Sequence, residues 1–124
     1  MKTLFSFLIY PIFLFSQEDL TIDLPSVMVP AEFCGTWRSP STTLVLTFKC
    51  NDELLEISNY DTLDGKVYLE EVLSFDKAQN IIRTHLFVEE TKHDLIVDYY
   101  VSEDTLRSTI QGSFSGLINY YKVF

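Results

Sequence analysis

The sequence predicts an all-β fold, an antiparallel up-and-down meander of eight strands that closes into a small barrel. Short runs of alternating apolar and polar residues recur from residue 35 to the C-terminus, with the period of two that is typical of strands with one buried face. Turn-forming segments separate the runs, and Asp64-Gly65 is the clearest of them. Such short links require antiparallel neighbours, because a parallel crossover needs about a dozen residues or more. Closure of the meander then removes its exposed edges.

The chain begins with the layout of a secretory signal peptide. Lys2 supplies a positive charge, an almost unbroken apolar run follows from Leu4 to Phe15, and Ser16 is a small residue suited to cleavage. The apolar run is about a dozen residues long, shorter than the roughly 20 that a membrane-spanning helix needs. We therefore expect residues 1–16 to be a signal peptide, and the mature protein to be secreted or periplasmic without stable membrane insertion.

The remainder divides into a lead-in and one domain. Residues 17–32 are expected to be extended, because Pro25 and Pro30 bracket the segment and exclude a long central strand. Residues 33–124 form the single predicted barrel domain. Its predicted strands are Gly35–Arg38, Thr43–Cys50, Glu53–Tyr60, Lys66–Phe75, Ile81–Glu89, Asp94–Val101, Thr105–Gln111 and Leu117–Val123. The same alternation suits two packed sheets, so a β-sandwich is the alternative architecture.

Acidic residues dominate the charged side chains. The chain has 18 Asp and Glu against nine Lys and Arg, a formal net charge of −9. Binding to a phosphate backbone needs clustered basic residues, and here they are scattered singly between carboxylates. The composition therefore argues against a nucleic-acid partner and favours a soluble protein, which we expect to be a monomer.

No pattern in the sequence indicates catalysis. The two histidines, His85 and His93, have no metal-ligand spacing that we recognise, and the sequence has no Gly-x-Ser-x-Gly elbow, phosphate-binding glycine loop or Cys-x-x-Cys pair. Glu70 and Glu71 are adjacent carboxylates, but strand neighbours point to opposite faces of a sheet. We therefore expect a protein that is not an enzyme and that has no metal site and no cofactor.

Cys34 and Cys50 are predicted to form a disulfide. Export places both thiols in an oxidising compartment, and two cysteines allow a single pairing. In the symmetrical hairpin that sets Cys34 opposite Cys50, Trp37 faces Thr47 and so lies away from the apolar face. A one-residue bulge at Gly35 would return the indole to that face, since glycine tolerates such a bulge best. Two free, buried thiols are the alternative.

The segment Gly35-Thr36-Trp37, which enters the first strand of an all-β chain, resembles the opening motif of lipocalins and of the related fatty-acid-binding proteins. In that family the tryptophan closes one end of the barrel and is commonly covered by a basic side chain from the last strand, a place that Lys122 would take here. The chain is shorter than a lipocalin, and only residues 39–42 separate its first two strands, where fatty-acid-binding proteins insert a helical lid. The resemblance thus implies a small barrel without a lid.

Two functions are compatible with such a barrel. Its many aromatic residues are enough to fill a small interior, which favours a non-catalytic interaction module that contacts an unknown protein partner through its outer surface. The alternative, implied by the resemblance, is binding of a small hydrophobic molecule inside the barrel. Trp37, Phe48 and Tyr99 are the predicted ligand contacts for that alternative.

Overall fold

A computed structural model describes residues 29–51 and 54–124. The predicted signal peptide and most of the predicted lead-in lie outside these residues. The described chain begins with a short 3-10 helix, Ala31–Phe33, and continues with eight strands. The strands are β1 (Gly35–Arg38), β2 (Leu44–Cys50), β3 (Leu55–Asp61), β4 (Val67–Asp76), β5 (Ile81–Val88), β6 (His93–Ser102), β7 (Thr105–Gly112) and β8 (Gly116–Lys122).

The eight strands form a closed antiparallel barrel. Each strand pairs with the next along the chain, and β8 pairs with β1 through Trp37 opposite Lys122 and Arg38 opposite Tyr121. The predicted all-β meander is confirmed, and the β-sandwich alternative is wrong. Within the described ranges, no helix is both long enough and apolar enough to span a membrane.

Alternation along the strands sorts the side chains between interior and surface. On β6 every second residue is buried, as the period of two predicts. Most of the other strands alternate in the same way, and the buried apolar side chains form one cluster inside the barrel. Burial of this apolar surface is the main favourable contribution to folding.

The segment before β1 closes one end of the barrel. Phe33 is fully buried there, with its ring centroid 5.9 Å from that of Phe48 and 6.5 Å from that of Phe75. Trp37 is also fully buried, and its indole nitrogen donates a hydrogen bond of 3.0 Å to the Phe33 carbonyl. Lys122 Nζ lies 4.5 Å from the centroid of the Trp37 ring. The basic cover expected from the resemblance is therefore present.

The Cys34–Cys50 disulfide joins this closing segment to the end of β2, as predicted, with 5.9 Å between the Cα atoms. The β1–β2 ladder differs by one residue from the symmetrical hairpin, because Trp37 pairs with Leu46. This register puts the indole on the apolar face. Gly35, where the ladder begins, has a φ of +125°, which side chains other than glycine rarely adopt.

A β-bulge in β4 changes which residues of that strand point inward. Its register with β5 shifts between Val72 and Ser74, so that Leu73 is the additional residue. Glu70 is buried on the near side of the bulge, and Phe75 packs against the core on the far side. The bulge lets one strand contribute a carboxylate to one half of the interior and an aromatic ring to the other.

Candidate functional site

The interior contains a cavity of about 210 Å³ in the half of the barrel away from the closed end. Its wall includes residues near the turns at that end, such as Leu44 at the start of β2 and Val88 at the end of β5. Phe114, in the turn between β7 and β8, also lines it and is 44% exposed. The cavity therefore reaches toward the end of the barrel where this turn lies.

Most of the cavity wall is apolar. An apolar cavity of roughly 150 Å³ is large enough to hold benzene. The present cavity therefore has room for one ring with a short substituent. The aliphatic lining residues are Leu44, Leu86, Val88, Leu95, Val97, Ile110 and Ile118.

A buried polar cluster, formed by Asn59, Glu70, Thr84 and Tyr99, interrupts this apolar interior. Glu70 lies at its centre and is only 7% exposed. The Thr84 hydroxyl donates to one carboxylate oxygen at 2.8 Å, and the Tyr99 hydroxyl lies 2.7 Å from both oxygens. The Asn59 amide nitrogen also donates to the carboxylate. The donors come from β3, β5 and β6, so the cluster exists only when the barrel is assembled.

Burial dominates the electrostatics of the polar cluster. Loss of solvent raises the pKa of Glu70 to about 7, although the hydrogen bonds from Tyr99, Thr84 and Asn59 act in the opposite direction. Burial, reinforced by the negative charge of Glu70, also raises the pKa of Tyr99 well above its ordinary value. Among the described lining residues, none is Lys, Arg or His. The Glu70 carboxylate therefore has neutral donors around it but no positive charge.

One acceptor of the polar cluster has no hydrogen-bond donor. Asn59 is 6% exposed and lines the cavity, and its Oδ1 atom has no partner among the residues that the structure describes. The amide nitrogen of the same side chain faces Glu70, which fixes the oxygen as the free end. A buried acceptor without a donor costs about 1–3 kcal/mol. A ligand with an N–H or O–H group could satisfy it.

The structure brings one of the three predicted ligand contacts to the cavity. Tyr99 lines it and binds Glu70. Phe48 contacts the Tyr99 ring edge-on, with 5.2 Å between centroids, and packs on the side of Phe33. Trp37 lies at the closed end beneath its lysine cover. Phe48 and Trp37 thus belong to the packed half of the interior.

Asn59 and Glu70 were not among the site residues predicted from the sequence. Glu70 and Glu71 were predicted to lie on opposite faces, and this is confirmed because Glu70 is buried and Glu71 is exposed. The available signal was the spacing of Glu70 from Tyr68 and Val72, which share its face two residues away on either side. This signal did not distinguish Glu70 from Glu71, because Leu69 and Leu73 flank Glu71 in the same way.

Neither histidine lines the cavity, but the His93 ring packs edge-on against the lining residue Phe114, with 5.0 Å between the centroids. His85 interacts on the outer face with Asp94, and its Nδ1 atom lies 3.4 Å from Glu71. The hydrogen bond to Asp94 raises the pKa of His85. His93 Nδ1 lies 2.8 Å from the Thr91 hydroxyl oxygen. Over residues 29–51 and 54–124, no three Asp, Glu, His or Cys side chains are grouped so as to hold a metal ion.

The fold and the cavity define the chain as a small eight-stranded antiparallel β-barrel with an internal site. Comparison with models of known protein families, with curated proteins and with solved structures finds no match. The function of the chain is therefore inferred from the geometry of the barrel itself.

Proposed function

We propose that this protein is a non-catalytic binding protein that holds one small, largely apolar molecule inside the barrel. The observation that carries the proposal is the apolar cavity of about 210 Å³ with Asn59, Glu70 and Tyr99 of the polar cluster in its wall. Apolar cavities with a few convergent polar groups are typical of small-molecule sites. The unpaired Asn59 Oδ1 supports the same function, because a bound donor would remove the cost of leaving it unsatisfied.

The proposal includes a distant relation to lipocalins and fatty-acid-binding proteins. Gly35-Thr36-Trp37 at the start of β1, the position of Lys122 over the indole and the closed eight-stranded barrel support it. In this interpretation the closed end is structural, and the ligand enters from the opposite end.

We also propose that the protein acts after export. The signal-peptide pattern of residues 1–16 supports this, and the Cys34–Cys50 disulfide is compatible with an oxidising compartment. Export would bring the cavity into contact with small molecules outside the cytoplasm.

Fluorobenzene, followed by fluorine-19 NMR, tests the proposal with a probe small enough for the cavity. We expect saturable binding of one molecule per barrel. Ile110→Trp should abolish it, because Ile110 lines the cavity and the larger side chain would fill the space. Ile96→Trp is the matched control, since Ile96 lies on the outer face of β6. A folded wild-type protein that takes up no fluorobenzene, or uptake that survives Ile110→Trp, would contradict the proposal.

Interaction with a protein partner through the outer surface is a second candidate function. It is favoured by neighbouring exposed apolar side chains, since Tyr60 pairs with Val67, and Leu69 follows two residues later. Val67 is 59% exposed and Leu69 is 63% exposed. Under this function Leu69→Ser should abolish partner binding and leave fluorobenzene uptake intact. If Ile110→Trp abolished partner binding and Leu69→Ser did not, the partner would not bind through the outer surface.

A further inference from the structure

We propose that the cavity selects a cationic ligand, a small amphipathic amine whose ammonium group meets Glu70 while its apolar body occupies the aliphatic part of the wall. This inference deepens the proposed function and rests on it. It also predicts that carboxylates such as fatty acids are excluded from the interior.

The charges around the cavity favour a cationic ligand. Glu70 is the one carboxylate among the described lining residues, and no basic side chain is among them. Lys122 lies over Trp37 at the closed end, and Arg83 forms a bidentate pair with Asp98 on the outside. An anionic ligand would add a second buried negative charge without a counter-ion, whereas an ammonium group supplies the missing positive charge.

The hydrogen-bond acceptors of the site also suit an ammonium group. An ammonium group has three donors and no acceptor. Asn59 Oδ1 is a free buried acceptor in the cavity wall, and the single Tyr99 hydroxyl is shared between both Glu70 oxygens, which leaves capacity at the carboxylate. Tyr68 and Tyr120 also line the cavity, and aromatic rings favour cations at their faces.

The interaction also makes binding depend on pH. The titratable groups that line the cavity with Glu70 are Tyr68 on its own strand, Tyr99 on β6 and Tyr120 on β8, and the pKa of each phenol is raised, so all three stay neutral near pH 7. Glu70 is therefore the cavity-lining group whose charge changes in this range, while His93 lies outside the lining and contacts it through the ring of Phe114. Acidification should protonate it and weaken binding of an amine but not of a neutral molecule.

Three compounds of similar size test the inference on the mature protein at pH 8: 2-phenylethylamine, 2-phenylethanol and phenylacetate. We expect the amine to bind at least about tenfold more tightly than the alcohol, since hydrogen bonds to charged groups are the strong ones. Phenylacetate should not bind measurably. Glu70→Gln should lose about tenfold in amine affinity and keep the alcohol affinity, and Glu71→Gln, on the outer face, should change neither.

A wild-type protein that binds the alcohol or phenylacetate as tightly as the amine would overturn the inference, as would a Glu70→Gln variant with unchanged amine affinity. If Glu70→Gln fails to fold, the pH dependence of binding to the wild type tests the inference instead. Between pH 8 and pH 5 the affinity for the amine should fall at least about tenfold, while the affinity for the alcohol stays level. Parallel pH profiles for the two compounds would overturn the inference. If fluorobenzene binds but the amine is not preferred, only this inference fails and the proposed function stands. If none of the four probes binds, the proposed function fails as well.

Discussion

The Tyr99 hydroxyl lies 2.7 Å from each of the two carboxylate oxygens of Glu70, inside a barrel whose cavity wall is otherwise mainly apolar. This contact joins β4 to β6, and the contacts from Asn59 and Thr84 add β3 and β5. Neutral donors hold the carboxylate in place but do not balance its charge. Glu70 therefore lowers the stability of the empty barrel at neutral pH and offers a partner for a ligand.

Glu70→Gln should change how stability depends on pH. The pKa of Glu70 is raised from 4.5 to about 7 on folding, so the folded state binds the proton more tightly than the unfolded state. The corresponding stability is fully present below pH 4.5 and is lost as the pH rises to about 7, a loss of roughly 3 kcal/mol. Urea unfolding at several pH values should show this loss in the wild type and not in Glu70→Gln.

Glu56→Gln is the control for this experiment because it removes the same charge from the outer face of β3. It should keep the wild-type slope between pH 4.5 and 7. Parallel profiles for wild type and Glu70→Gln would show that Glu70 does not titrate in this range.

Lys122→Met should destabilise the closed end of the barrel. The substitution keeps an apolar chain but removes the ammonium group 4.5 Å from the centroid of the Trp37 ring, as well as its hydrogen bond to the Cys34 carbonyl. The loss of the cation–π contact is about 0.5–2 kcal/mol. Unfolding followed by tryptophan fluorescence measures it. Lys49→Met, at an exposed position on β2, is the control, and an equal effect of both substitutions would contradict the role of Lys122.

The Cys34–Cys50 disulfide should contribute about 3 kcal/mol by restricting the unfolded chain, given the 16-residue separation of the cysteines. The double variant Cys34→Ala, Cys50→Ala should unfold at a correspondingly lower urea concentration. The thiol count of the purified wild-type protein provides a direct check. Two thiols titrating in denaturant without reductant would mean that the bond does not form.

Gly112→Ala should be strongly destabilising. Gly112 has a φ of +125°, and an added Cβ would collide with the backbone carbonyl oxygen of Asp94 on β6. We expect a loss of about 2 kcal/mol or more in the free energy of unfolding. Gly116→Ala is the matched control, since no atom lies within 4 Å of the added Cβ, and its effect should stay within about 1 kcal/mol. Similar losses for both variants would argue against the observed backbone of β7.

The fold could be predicted because local and long-range signals agree. The inward face of β2 was visible in Leu44, Leu46 and Phe48, and most of the other strands have a comparable alternation. Short turns then fixed the antiparallel order. The one-residue difference in the β1–β2 register was expected at Gly35, because Trp37 would otherwise face away from the apolar side, and Gly35 has a positive φ there.

The site was less accessible to prediction because β4 carries apolar residues on both faces. Val67 and Leu69 point outward and Tyr68 and Val72 inward, so the pattern did not show which face Glu70 occupies. The bulge at Leu73 changes the alternation again. Convergence of the polar cluster also requires the registers of neighbouring strands and the closure of the barrel, neither of which a single strand pattern contains.

Titration of the Glu70 carboxyl carbon by carbon-13 NMR shows directly whether this carboxylate recognises the ligand. The signal is assigned by its absence in Glu70→Gln, and the titration is run with and without saturating 2-phenylethylamine. The empty protein should titrate near pH 7, because burial raises the pKa of Glu70 to about that value. Bound amine should move the midpoint to clearly lower pH, since the ammonium group favours the ionised carboxylate. A midpoint that stays in place while the amine binds, or a Glu70 that titrates as an exposed glutamate does, would contradict the claim that this buried carboxylate recognises the ligand.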